Sequence, residues 1–145
     1  IVKSITNTDT GETTTISPTA VRQVVSKDTS EKIKSMMQSE VEVGTGKRGL
    51  VAGYTVGGKT GTSEPSQSNT EEGYVASFVG IGPVENTEIV VLTCLYAPQG
   101  SSHQGGEIAA PVVSKIFSEV LPYLGASSNA DKSDVQNNTA DSNLY

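Results

Sequence analysis

Apolar positions recur along this chain with three different periods, and each predicts a different element. Between Asp28 and Gly44, Ile33, Met36, Met37 and Val41 form one stripe at helical spacing. Asp28 with Glu31 three residues on predicts the helix cap, and Gly44 predicts the stop. The Met pair on that stripe reads as core filler. Three strands are predicted next, over residues 54–62, residues 74–81 and Ile89–Tyr96. The second and third are apolar on both faces. Val75, Val79 and Ile81 oppose Ala76 and Phe78, while Ile89, Val91 and Leu95 oppose Val90, Leu92 and Cys94. Such strands need cover on both sides. The links 82–88 and 63–73 are too short for parallel crossovers, so the strands should form an antiparallel meander.

A last helix is predicted over residues 109–124. Ile108, Val112, Ile116, Val120 and Leu124 recur every four residues, beside Val113, Phe117 and Leu121. Pro111 suits its first turn, Gly125 suits its end, and Pro122 is expected to fray or kink the final turn. At the other end, residues 1–25 read as extended segments around the polar turn Asn7-Thr8-Asp9-Thr10-Gly11. From Ala126 onward Ser, Asn, Asp and Thr dominate, which predicts a disordered tail or linker that includes Asp131, Asp134 and Asp141. There is no internal repeat. A three-strand meander between two helices carries more apolar surface than those elements can cover among themselves.

Composition narrows the function classes. A net charge of -6 argues against a nucleic-acid partner or an anionic-membrane surface, which need a basic patch. With one cysteine, Cys94, and one histidine, His103, an internal disulfide and multi-Cys or multi-His metal sites are excluded. Cys94 reads as a buried small hydrophobe, and His103 as exposed in a polar loop with at most a rim role. The apolar run Ile89–Tyr96 is too short to span a bilayer. The chain opens on Ile1 with no signal segment, so any membrane anchor is expected upstream.

Two glycine-lysine matches fail on context. Gly53-Tyr54-Thr55-Val56-Gly57-Gly58-Lys59-Thr60 fits the phosphate-loop pattern, but Gly61 and Ser63-Glu64-Pro65-Ser66 cannot open the helix that would face phosphate. Gly44-Thr45-Gly46-Lys47-Arg48-Gly49 fits a dinucleotide pattern, yet follows a helix and reads as a flexible helix-to-strand loop. Asn137-Asn138-Thr139 fits a glycosylation triplet of the kind common in polar tails.

Lys59-Thr60-Gly61-Thr62 on a strand has a different logic. Lysine places one positive charge in a groove, threonine hydroxyls can donate to a carboxylate, and glycine lets a ligand backbone approach the strand. A strand amide can also face a developing oxyanion. The tetrapeptide alone fits a Gly-rich turn with a solvated lysine as well. Its context resembles the C-terminal part of the penicillin-binding transpeptidases, closest to the class B type of division or sporulation. Carrying the likeness are Gly44-Thr45-Gly46, residues 53–62 with the lysine-threonine-glycine motif, and Ala76-Ser77-Phe78-Val79-Gly80-Ile81-Gly82-Pro83. It extends through Gly105-Gly106 and Ala109-Ala110-Pro111, and back to Pro18 and Val21-Arg22-Gln23-Val24-Val25-Ser26.

The resemblance implies an α+β fold, an antiparallel sheet sandwiched between helices, present over residues 1–124 as its C-terminal portion, with 125–145 as tail. It implies serine acyl transfer on the D-Ala-D-Ala end of a peptidoglycan stem peptide, β-lactam binding, no cofactor and no metal. Lys59 would supply positive potential and assist proton movement. Thr60 and Thr62 would bind the carboxylate, Gly61 would keep the strand open, and the Thr62 N–H would form half of the oxyanion hole. The implied location is the extracytoplasmic face of a bacterial cell membrane.

The family's nucleophile motif S-x-x-K is missing, because no lysine here has a serine three residues before it. The only S-x-N is Ser127-Ser128-Asn129, after the last helix and out of order. Nucleophile and second motif are therefore expected from an upstream part of the same domain, and the chain alone should be inactive. A serine β-lactamase or carboxypeptidase, and a penicilloyl-sensing receptor domain, share the same pocket pattern and remain as alternatives.

Overall fold

The computed structural model describes residues 2–65 and 73–129. The chain divides into two units, Ile1–Ser30 and Glu31–Tyr145. In the first, β1 (Ser4–Thr6) pairs antiparallel with β2 (Thr13–Thr15). The expected turn joins them: Asn7 Oδ1 accepts the N–H groups of Asp9 and Thr10, and Gly11 takes a positive φ of 71°.

Helix α1 covers Lys27–Glu42. Its cap is Ser26 and not Asp28: Ser26 Oγ accepts the Thr29 N–H at 3.1 Å, while Asp28 sits inside the first turn. Beyond the helix, Gly44 and Gly46 both donate their N–H to the Glu40 carbonyl, closing the end where the glycine predicted it. Of the stripe, only Val41 is fully buried. Ile33 is exposed, Met37 is half-buried and Met36 is 65% exposed, so the Met pair does not fill the described core.

The sheet is the expected antiparallel meander, in the order β3 (Gly57–Ser63), β4 (Val75–Gly82), β5 (Ile89–Tyr96). The first strand starts later than residue 54, because Tyr54 is bridged to Val51 in a turn. After β5 a short helix α2 (Gly105–Ile108) precedes α3 (Ala110–Tyr123), so helical structure begins one turn earlier than the apolar period showed. Pro111 lies in the first turn of α3, and Pro122 is accommodated in its last. There the Leu124 N–H still reaches the Val120 carbonyl at 2.9 Å.

The core forms where α3 crosses the sheet: Phe78, Val113, Phe117 and Leu121 are almost wholly buried, with Val41, Val56 and Ala109 beside them. Phe78 gives the glycine-rich loop 44–49 a packing role where the sequence predicts a flexible link. A Cβ at Gly46, Gly49 or Gly58 would meet the Phe78 ring, so these glycines seat an aromatic side chain. A 3-10 turn, Lys47–Gly49, shapes that seat.

The opposite face of β5 is bare among the described residues. Val90, Leu92 and Tyr96 are 64%, 65% and 76% exposed. Cys94 lies on that same face and is exposed, correcting the expectation of a buried thiol: strand alternation puts it outside, where nothing described covers it. After α3, Ala126 turns back onto the core and the Asn129 N–H donates to the Gly53 carbonyl at 2.6 Å, so the polar tail is ordered at its start. Asp131, Asp134, Asp141 and Asn137-Asn138-Thr139 lie outside the described residues.

Candidate active site

Lys59, Thr60, Gly61 and Thr62 lie within β3, which is an edge strand. Antiparallel hydrogen-bonded pairs alternate along a ladder, which fixes where each main-chain group points. The Ala97 N–H donates to the Tyr74 carbonyl at 2.8 Å, in register with the pairing of Val75 and Tyr96. Ala76, Phe78 and Gly80 therefore turn their main-chain groups to β5, and Val75, Ser77 and Val79 turn theirs to β3. Carried across the register, Thr60 and Thr62 have N–H and C=O aimed at the open edge of β3. No strand among the described residues occupies that edge.

Lys59 folds over the same edge. Its Nζ donates to the Thr60 carbonyl at 2.9 Å and to Thr60 Oγ1 at 3.3 Å, while its side chain stays 63% exposed. The charge is thus available to a ligand. Glu40, in the last turn of α1, faces it at 3.9 Å. Thr45 joins the group: its hydroxyl donates to Glu40 Oε1 at 2.6 Å and contacts the Thr60 hydroxyl at 2.9 Å.

Thr62 is held from another direction. Its hydroxyl accepts the Gly105 N–H at 3.2 Å and donates to Gln104 Oε1 at 3.4 Å, tying β3 to the start of α2. Gly105 and Gly106 permit this approach, since a Cβ at the first would strike the Ser77 and Gly61 carbonyls and at the second the Thr45 carbonyl. Gly61 is required from within: a Cβ there would lie 2.6 Å from Ser77 Oγ on the neighbouring strand. Thr45, Thr60, Thr62, Gln104, Gly106 and Glu107 line one cleft of about 420 Å³. Arg48 steadies its far side by donating to the Glu107 carbonyl at 3.2 Å.

The structure thus puts the four strand residues beside partners that sequence reasoning gave no role. Gly44-Thr45-Gly46 and Gly105-Gly106 stood out only as parts of a likeness. Glu40 carried no signal at all, being one more carboxylate on a polar helix face. His103 is not a free loop side chain but half-buried, stacked on Tyr74 with ring centroids 3.9 Å apart and planes 17° apart. The late S-x-N leads elsewhere: Asn129 Oδ1 accepts from the Thr55 hydroxyl at 3.2 Å, before β3 begins. The phosphate-loop match also fails, since Lys59 and Thr60 are followed by more strand.

Comparison with known proteins shows which family the chain resembles. The family described as "Penicillin binding protein transpeptidase domain" matches residues 1–118. Stage V sporulation protein D of Bacillus subtilis is 40% identical over 111 residues, covering 75% of this chain and 17% of that protein. The probable peptidoglycan D,D-transpeptidase PenA of Neisseria flavescens is 32% identical over 109 residues, covering 73% of this chain and 27% of the relative. Among solved structures, the apo transpeptidase domain of Burkholderia pseudomallei penicillin-binding protein 3 superposes with a TM-score of 0.66 at 32% identity, covering 86% of this chain and 37% of that one. The chain spans less than a third of the length of the curated relatives it matches.

Proposed function

The chain belongs to the penicillin-binding protein transpeptidase domain family, and we propose that it supplies the substrate-binding wall of a class B peptidoglycan D,D-transpeptidase. The observation that carries this reading is the open edge of β3, where the Thr60 and Thr62 main chain faces outward beside the exposed Lys59 ammonium. An extended D-Ala-D-Ala terminus can pair along that edge as an added strand. Its carboxylate then meets the Lys59 ammonium and the Thr62 hydroxyl, whose 3.4 Å bond to Gln104 Oε1 it can replace, while Thr60 contributes its main chain.

The reaction divides accordingly. A serine attacks the penultimate D-Ala carbonyl, the C–N bond breaks, the terminal D-Ala leaves, and a neighbouring stem-peptide amine takes the acyl group. Charge that develops on the carbonyl oxygen is met by the Thr62 N–H, one of two donors such a hole requires. Lys59 supplies positive potential to the carboxylate and to the proton transfers at the serine. No S-x-x-K occurs in the 145 residues, so the serine and its lysine come from outside them. On this reading residues 1–124 are part of one transpeptidase domain, and 125–145 are its tail. β-Lactams, which imitate the same terminus, acylate the same serine.

A peptidoglycan substrate supports a site on the extracytoplasmic face of the membrane. Among the described residues no helix is long and apolar enough to cross it. Relatives with sporulation and transpeptidase names support a role in wall synthesis at division or spore formation. The deciding experiment is Lys59→Ala in the polypeptide that carries both this chain and its serine. Acylation by labelled penicillin and release of D-Ala should both be lost, and normal acylation of the variant would overturn the assignment.

A further inference from the structure

The contacts around Thr60 have a direction. Thr45 gives its one hydroxyl proton to the Glu40 carboxylate at 2.6 Å, a charge-assisted bond far shorter than the 3.4 Å from Thr60 Oγ1 to the same Glu40 oxygen. The 2.9 Å contact between the two threonines then needs the proton of Thr60. Thr60 Oγ1 is left with lone pairs, and Lys59 Nζ approaches it at 3.3 Å. The result is a polarised chain from Lys59 through Thr60 and Thr45 to Glu40. Glu40 is itself fixed. Its carbonyl accepts from Gly44 and Gly46, and Gly44 lacks a side chain where one would strike Glu40 Oε2. Its side chain is about one-fifth exposed, and Oε1 also lies 3.4 Å from the Thr60 hydroxyl.

We propose that Glu40 is a positioning residue for the carboxylate subsite: acting through Thr45, it sets the rotamer and proton direction of Thr60 and so turns Lys59 toward a ligand carboxylate. This rests on the function proposed above. Its role requires an acceptor at Oε1 more than a full charge, because the Glu40–Lys59 separation of 3.9 Å is long for an ion pair beside solvent.

The test uses the polypeptide carrying this chain and its serine, with a β-lactam bearing a free carboxylate and the methyl ester of the same compound. Glu40→Ala should lower acylation by the free acid about tenfold, the scale of one charge-assisted hydrogen bond. The loss should appear in binding and not in the limiting rate, with the ester unaffected. Glu40→Gln, which keeps an acceptor, should return to within about threefold of the parent by the same reasoning. Thr45→Val should match Glu40→Ala, and the double variant should be no worse than either single one. Glu40→Ala that is folded and within twofold of the parent, or that slows acid and ester alike, overturns the inference while Lys59→Ala still abolishes acylation. Were Lys59→Ala to acylate normally, the functional reading itself would fail instead. Thermal melts of each variant identify a folding defect, in which case Thr45→Val against Thr45→Ser carries the decision.

Discussion

Thr62 Oγ1 accepts the Gly105 N–H at 3.2 Å, so a side chain of the edge strand caps the first turn of the helical segment that follows the sheet. Gln104, which occupies the N-cap position, makes no side-chain cap bond there. Thr62→Val should therefore destabilise the protein by about 1 kcal/mol, the usual loss on removing a hydroxyl cap, and Thr62→Ser should not. Denaturant midpoints of the two variants check this. Equal midpoints for Val and Ser would show the contact to be idle.

Gly105 should be less tolerant still. A Cβ there would meet the carbonyl oxygens of Ser77 and Gly61, both in the main chain of paired strands and unable to move aside. Gly105→Ala is expected to lose roughly 1–3 kcal/mol, the range for overpacking a filled site, and to shift β3 at its open edge. Gly100→Ala is the control, since nothing lies within 4 Å of the added carbon. Equal melting temperatures for the two would contradict the packing described.

The Phe78 ring rests on Gly46, Gly49 and Gly58. Because it is about 1% exposed, Phe78→Ala should cost about 3–5 kcal/mol, as for other buried aromatic deletions. Gly58→Ala should also destabilise, since the new methyl would enter the ring. Gly58 adjoins Lys59, so in the polypeptide that also carries the serine this variant should lose penicillin acylation along with stability. A stable Gly58→Ala protein would mean that the ring has somewhere else to go.

The sheet was legible because β4 and β5 are rich in β-formers and the links between the three strands are too short for crossovers, although β3 itself carries three glycines. Helix α3 was legible from its period of four. Its extra turn at Gly105–Ile108 was not, because glycines carry no periodic signal and the turn depends on Thr62, 43 residues earlier. Cys94 was misplaced for a related reason. Alternation says which residues share a face, but Val90, Leu92 and Cys94 are as apolar as a covered face would be, and only the fold shows that no described residue covers theirs. At the site, the lysine-threonine-glycine strand could be read from its spacing and neighbours. Glu40 could not, because its importance lies in a hydrogen-bond chain between elements distant in sequence.

The 145 residues include no serine three positions before a lysine. Labelled penicillin should therefore attach covalently to the longer polypeptide and not to this chain expressed alone. Gel fluorography after denaturation measures both. A stoichiometric label on a serine of the isolated chain would relocate the nucleophile and overturn the division of the site.

The outward face of β5 makes the last prediction, and it has opposite signs in two settings. Val90, Leu92 and Tyr96 form an apolar row on a sheet face that nothing described covers. Exposed rows of this kind drive association, so the isolated chain should aggregate, and Leu92→Lys should raise its soluble fraction. If the longer polypeptide covers that row, the same lysine must there enter an apolar interface without a partner. Leu92→Lys should then lower the melting temperature of the longer protein, because burying an unpaired charge is strongly unfavourable. Sedimentation of the isolated chain and calorimetry of the longer one give the two signs. A gain in solubility without a loss of stability would mean that the row faces solvent in both.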